Sequence, residues 1–261
     1  MLDTIFQYVG VFALVLVRMS AFFVLSPVFG TRNVPMAVKA GLAFFLTLVL
    51  TPIVSATAAG ALYAGYSLNE MVLILVKEFM VGAALGLIAS FVFAAVQVGG
   101  MFVDLQIGFA MANVFDPMTG TSSPLTGQFK YTLAMLLFLG MDGHHGLLTG
   151  LLQSYEFIPA GGFTMTGNVV SAFLETFGLM FLIGLKIAVP IVTALFLTDV
   201  GFAILSRAVP QMNVFVLGMS VKVIVGGLML IVVLPAFVYL LRAMFDTMFT
   251  QMDALLRVLG G

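Results

Sequence analysis

The sequence predicts an all-α integral membrane protein built from long, tilted and broken helices. Three observations predict it. Of the 261 residues, 62% are hydrophobic and 8% charged. An average soluble domain carries about 25% charged residues, so this chain has too few to cover a water-facing surface. Its apolar residues gather into runs near or above the roughly 20 residues that a helix needs to cross a bilayer. Prolines and paired glycines then interrupt those runs, at Pro190, Pro235, Gly99–Gly100 and Gly226–Gly227, where helices kink or approach one another closely.

Taken in order, the first run is Ile5–Phe29. It follows Asp3 instead of a basic segment and is too long for a cleavable signal, so the whole chain is expected to be mature. Val38–Val54 is near the minimum for a crossing, and Met71–Val98 is longer than one requires. The latter carries Gly82 and Gly86, a spacing that permits close helix contact but arises often by chance among 27 glycines. Thr132–Leu152 has a polar interruption, "DGHHG". Val169–Leu197 and Val214–Leu241 again exceed a simple crossing, and such uneven lengths suit tilted or partly buried helices. Between these two, Ser206–Asn213 is a polar break in which Pro210 should end a helix and make a turn. Beyond Arg242, Met244, Phe245, Met248, Met252, Leu255, Leu256 and Leu259 follow helical spacing, an amphipathic tail suited to a membrane surface or a partner.

Charge narrows the function classes. A formal net charge of -1 gives no electrostatic case for nucleic acid. The absence of cysteine excludes disulfides, thiolate metal sites and a cysteine nucleophile, and without Trp an aromatic belt rests on Tyr alone. Positive charges give no consistent topology: with Arg32 and Lys39 inside, alternation puts Arg207 inside but Arg242 and Arg257 outside. Arg18, Lys77, Glu78, Glu175, Lys186, Asp199 and Lys222 lie in or at the edge of apolar runs. A charge facing lipid costs about 2.5–3.5 kcal/mol on insertion scales, so these should face protein or water. Glu175 and Lys186 share a helical face but stand about 16 Å apart, so their partners belong to other helices or other chains. Glu175, Lys186 and Lys222 are the candidate charges between subunits.

No catalytic pattern emerges: there is no P-loop, no Ser-His-Asp order and no carboxylate pair at catalytic spacing. Adjacent helical histidines, His144 and His145, point about 100° apart, which argues against chelation; a turn is the expected reading of "DGHHG". No cofactor is expected. The stretch Gly108–Pro124 is different in kind. Phe109, Met111, Val114, Phe115 and Met118 all need cover, yet Gly, Ser, Thr and Pro make one uninterrupted helix untenable. Gly108, Asp116, Pro117 and Gly120 are its expected hinge and turn positions. At membrane depth such a loop is tolerated where protein buries it or where it lines a water-filled cavity.

Several segments carry a resemblance to a known family. "FAAVQVGGMFVDLQIGFAMANVFDP" (Phe93–Pro117), "LLFLGMDGHHGLL" (Leu136–Leu148), the stretch Ala188–Leu230 with "RAVPQMNVF", and Thr31–Pro52 resemble the FliR family of flagellar type III export-gate proteins. The resemblance covers nearly the whole chain, in order and at matching length. It implies a non-enzymatic, channel-forming subunit of the bacterial inner membrane and flagellar basal body, with homologues in virulence injectisomes. It implies FliP-like, FliQ-like and FlhB-like partners, and unfolded exported polypeptides as cargo. It implies a FliP-like portion over residues 1–167, with a pore-blocking loop at 106–122. A FliQ-like hairpin and amphipathic tail then fill 168–261. A secondary transporter using Glu175, Lys186 or Asp199 as coupling groups is the competing expectation, but no clear internal repeat supports it.

Overall fold

A computed structural model describes residues 2–31, 34–56, 68–109, 124–163, 167–211 and 213–260. Among them every regular element is helical: α1 (Leu2–Leu25), α2 (Met36–Ala56), α3 (Leu68–Ile107), α4 (Leu125–Gly140), α5 (Gly143–Phe157), α6 (Gly167–Ala208) and α7 (Val214–Gly260). Five of these, α1, α2, α3, α6 and α7, are long and apolar enough to cross a membrane. The fourth expected span, Thr132–Leu152, is two helices with a turn at "DGHHG". Met141 and Asp142 make a turn between α4 and α5, with Asp142 in the left-handed conformation at φ 56°. Neither piece, of 16 and 15 residues, spans the roughly 30 Å of a hydrocarbon core. The expected turn before α7 is present, since α6 stops at Ala208 and α7 begins at Val214. Pro52, Pro190 and Pro235 lie inside α2, α6 and α7, each of which continues as one helix.

The chain divides into two compact units that interleave along the sequence. The first comprises Met1–Phe91, Met141–Thr176 and Asp246–Gly261. Its centre is where α1 meets α3. Gly82 lies against the Arg18 carbonyl so closely that an added methyl group would overlap it, and at Gly86 the same methyl would sit 3.0 Å from the Phe22 carbonyl. The GxxxG spacing is thus a true helix contact. The tail is the uninterrupted end of α7, and its apolar face packs on this chain's own α5. Gly146 makes room for the Phe249 ring and Gly150 for the Met252 methyl, while Met248, Leu255, Leu256 and Leu259 are buried.

The second unit comprises Val92–Gly140 and Phe177–Phe245. Small residues again set its contacts. Gly99 and Gly184 let α3 and α6 touch backbone to backbone, and Gly100 does the same with Gly127 of α4. One core gathers Val103, Ile107, Ala188, Ile191 and Leu195. Another is aromatic: Phe93, Phe138 and Phe245 stand 4.9–5.9 Å apart, centroid to centroid.

Candidate functional site

The first unit holds a buried polar network that the sequence marked only as charges needing cover. Arg18 and Glu78 are fully buried, with Nε–H donating to Oε2 at 2.6 Å and an Nη2 hydrogen to Oε1 at 3.1 Å. Arg18 also donates to Ser154 Oγ and the Ile158 carbonyl, and its guanidinium lies 3.9 Å from the Tyr155 ring centroid. Glu78 in turn accepts the Gly161 N–H at 2.7 Å. One ion pair therefore ties α1, α3 and the end of α5 with most of its donors and acceptors used, the condition under which a buried charge is tolerated.

The second unit positions the flanks of the 106–122 segment. Asp104, buried in the last turns of α3, accepts the Thr126 N–H with both carboxylate oxygens at 3.1 Å. Thr126 Oγ1 reaches Asp104 Oδ1 and, at 2.9 Å, the Gly100 carbonyl; its single proton serves one at a time. A carboxylate on the first turn of α4 satisfies an otherwise free N–H and meets the positive end of the helix. Two residues further, Gln106 Nε2 donates to Asp199 Oδ2 at 2.9 Å, and Lys222 Nζ meets Asp199 Oδ1 at 2.6 Å. α3 then ends at Gly108, whose φ of +101° favours glycine. Beside these groups lies a cavity of about 380 Å³, walled by Ile107, Phe202, Phe215 and Met219.

Of the expected plug residues, Phe109 is described: it packs, partly buried, against the Val103–Ile107–Leu195 core. Met111, Val114, Phe115 and Met118, with the expected turn residues Asp116, Pro117 and Gly120, lie outside the described residues. Lys222, a candidate charge between subunits with no evident partner at i±4, meets Asp199 across the hairpin. Glu175 and Lys186 are both exposed on α6, with no ion pair or hydrogen bond among the described residues. Lys130, beside the loop in sequence, is buried, with its ammonium 5.4 Å from the Phe237 ring centroid and no hydrogen-bond acceptor among the described residues.

At the α4–α5 turn the histidine rings are closer than helical spacing suggests. His144 and His145 stack with centroids 4.2 Å apart, and donor atoms of Asp142, His144 and His145 fall within 4.8 Å of one another. Both rings belong to the first turn of α5, where side-chain rotation lets neighbouring imidazoles lean together. Yet the group sits at a helix N-terminus, which repels a cation, and Asp142 already leans toward His145 at 3.5 Å.

Comparison with known proteins follows the same outline. Residues 9–248 match the bacterial export proteins, family 1. The chain belongs to this family. It is 39% identical over 262 aligned positions to the flagellar biosynthetic protein FliR of Bacillus subtilis, covering 99% of each chain. It is 30% identical to FliR of Escherichia coli, over 90% of this chain and 88% of that one. Yop proteins translocation protein T of Yersinia pestis is 30% identical over 85% of this chain and 84% of its own. The family makes the chain a component of flagellar and related type III export, and its five long apolar helices make it a multi-pass membrane protein.

Proposed function

We propose that this chain is a channel-forming subunit of a flagellar type III export gate, passing unfolded flagellar proteins across the inner membrane alongside FliP-like, FliQ-like and FlhB-like subunits. Helix length carries this reading. α3, α6 and α7 have 40, 42 and 47 residues, hence lengths of about 60–70 Å. To hold a straight 60 Å helix within a 30 Å hydrocarbon core requires a tilt of about 60°, beyond the usual range of about 0–40°. More apolar helix is therefore exposed than lipid alone can cover, and other protein must cover the rest. The FliP-like portion is residues 1–167 and the FliQ-like hairpin with its tail 168–261. Exposed Glu175 and Lys186 face neighbouring subunits, where each finds a countercharge. Residues 106–122 close the channel at rest, with Phe109, Met111, Val114, Phe115 and Met118 as the water-excluding surface. The higher identity and fuller coverage of the flagellar relative favour flagellar over injectisome membership.

Purification in detergent tests the assembly. Expressed alone, the chain should be recovered poorly, and co-expression of FliP-like and FliQ-like subunits should restore it as one complex. A chain that purifies alone, stays monodisperse and gains nothing from those subunits would return the secondary-transporter reading.

A further inference from the structure

The last turn of α3 is held from two sides. Asp104 and Gln106 are two residues apart, so they point about 200° from each other around the helix. Asp104 grips the first turn of α4 through Thr126. Gln106 reaches the opposite way, to Asp199 on α6, and Lys222 on α7 holds the other oxygen of the same carboxylate. These are costly groups to place in apolar helices, and pairing offsets that cost without requiring a link to α3. The link exists nonetheless, two residues before the chain leaves the helix at Gly108. There a side-chain methyl would meet Met219 of α7 at 3.5 Å. The Asp199 side chain is 40% exposed and Lys222 20%, so the tie opens on the cavity and is free to exchange.

We infer that Gln106 and Asp199 are positioning residues that fix the direction in which the chain leaves α3, with Lys222 fixing the Asp199 carboxylate. This rests on the reading that the segment following Gly108 seals the channel. The geometry assigns the hairpin a second task besides packing: its ion pair is the anchor against which the base of the seal is set. Movement of α6 against α7 would reach Gly108 through this tie as well as through the packing of Ile107 on Leu195 and Gly226.

The chain has no cysteine, which permits a direct test. Spin labels on cysteines at Leu105 and Ala203, which line the cavity on α3 and α6, report the tie in the assembled complex. Gln106→Leu leaves the Asp199–Lys222 pair intact and should broaden the inter-label distance distribution. It should also raise dye passage through the gate several-fold at unchanged complex recovery. Lys222→Met should broaden the distribution as well. The exchange Asp199→Lys with Lys222→Asp should restore a narrow one, because the Gln106 amide can rotate to offer its carbonyl oxygen to the lysine. A narrow distribution in Gln106→Leu overturns the positioning role, and so does failure of the exchange to restore what Lys222→Met broadened. A broadened distribution with unchanged dye passage overturns its connection to sealing. Failure of the sealing reading itself appears elsewhere, as a gate that stays tight after residues 110–121 are deleted.

Discussion

Arg18 and Glu78 show what a charge inside an apolar helix requires. Each is fully buried, and each has partners on more than one element. Removing one member of such a pair strands the other and costs about 3–5 kcal/mol, whereas replacing both with apolar residues of similar size is often neutral. Glu78→Gln should therefore lower the unfolding temperature of the chain in detergent sharply. Arg18→Met combined with Glu78→Met should lower it less, although the Gly161 N–H then loses its acceptor, worth about 1–3 kcal/mol. A double variant less stable than Glu78→Gln would mean that the ion pair itself contributes the stability. The sequence showed that both side chains need cover; it did not pair them, because 60 residues separate them and only the close passage of α1 along α3 joins them. Lys222 and Asp199 were more legible than the reading allowed. They lie nearly equidistant from Pro210 on the two arms of a predicted hairpin, which places them at one height on facing helices.

At the scale of the helix, glycine decides which surfaces touch. Gly82 and Gly99 lie in direct backbone contact with α1 and α6, while Gly41, Gly178 and Gly201 have nothing within 4 Å of the position a side chain would take. Spacing alone does not separate these classes, and the GxxxG at Gly82 and Gly86 was legible only as a possibility among 27 glycines. Gly82→Ala should push α1 from α3 and destabilise by about 1–3 kcal/mol, the usual cost of overpacking. Gly41→Ala and Gly201→Ala should be neutral or stabilising by up to about 1 kcal/mol through helix propensity. Thermal unfolding of the three variants side by side checks the order; equal effects would contradict the close approach. The helix boundaries followed from proline and polar breaks, as between α6 and α7. The split of the fourth run falls at the turn expected for "DGHHG", and what the sequence did not specify is the left-handed conformation of Asp142 that makes it. The amphipathic end of α7 announced a buried face but not its partner, which is α5 of the same chain.

At the scale of the whole molecule, the question is what covers the long apolar helices and what would close the channel proposed for the assembled gate. The failed charge rule, with Glu175, Lys186 and Lys222 read as charges lacking an evident partner, pointed to a subunit wrapped in others; Lys222 pairs with Asp199, while Glu175 and Lys186 are exposed with no ion pair among the described residues. Lys186→Ala should reduce recovery of the assembled complex by pull-down more than Arg257→Ala, which alters an exposed residue in the last turn of α7. Lys130, near the loop in sequence, is no neutral comparison, since its burial predicts a loss of its own. The seal makes the sharper demand. A hydrophobic constriction excludes water by dewetting, so its bulk and its apolarity contribute separately. Deleting residues 110–121 removes both. It should leave the complex assembled, because Asp104 still caps α4 through Thr126 and the deletion spares both residues. Conductance or dye passage should then rise well above that of the unaltered gate. Replacing Met111, Phe115 and Met118 together with Ser keeps the chain in place but wets its surface, so passage should rise by less than in the deletion. An assembled gate that remains as tight after the deletion would move these residues from the channel to a contact between subunits. Their apolar side chains would then be covered by a neighbouring chain and not by each other across the pore.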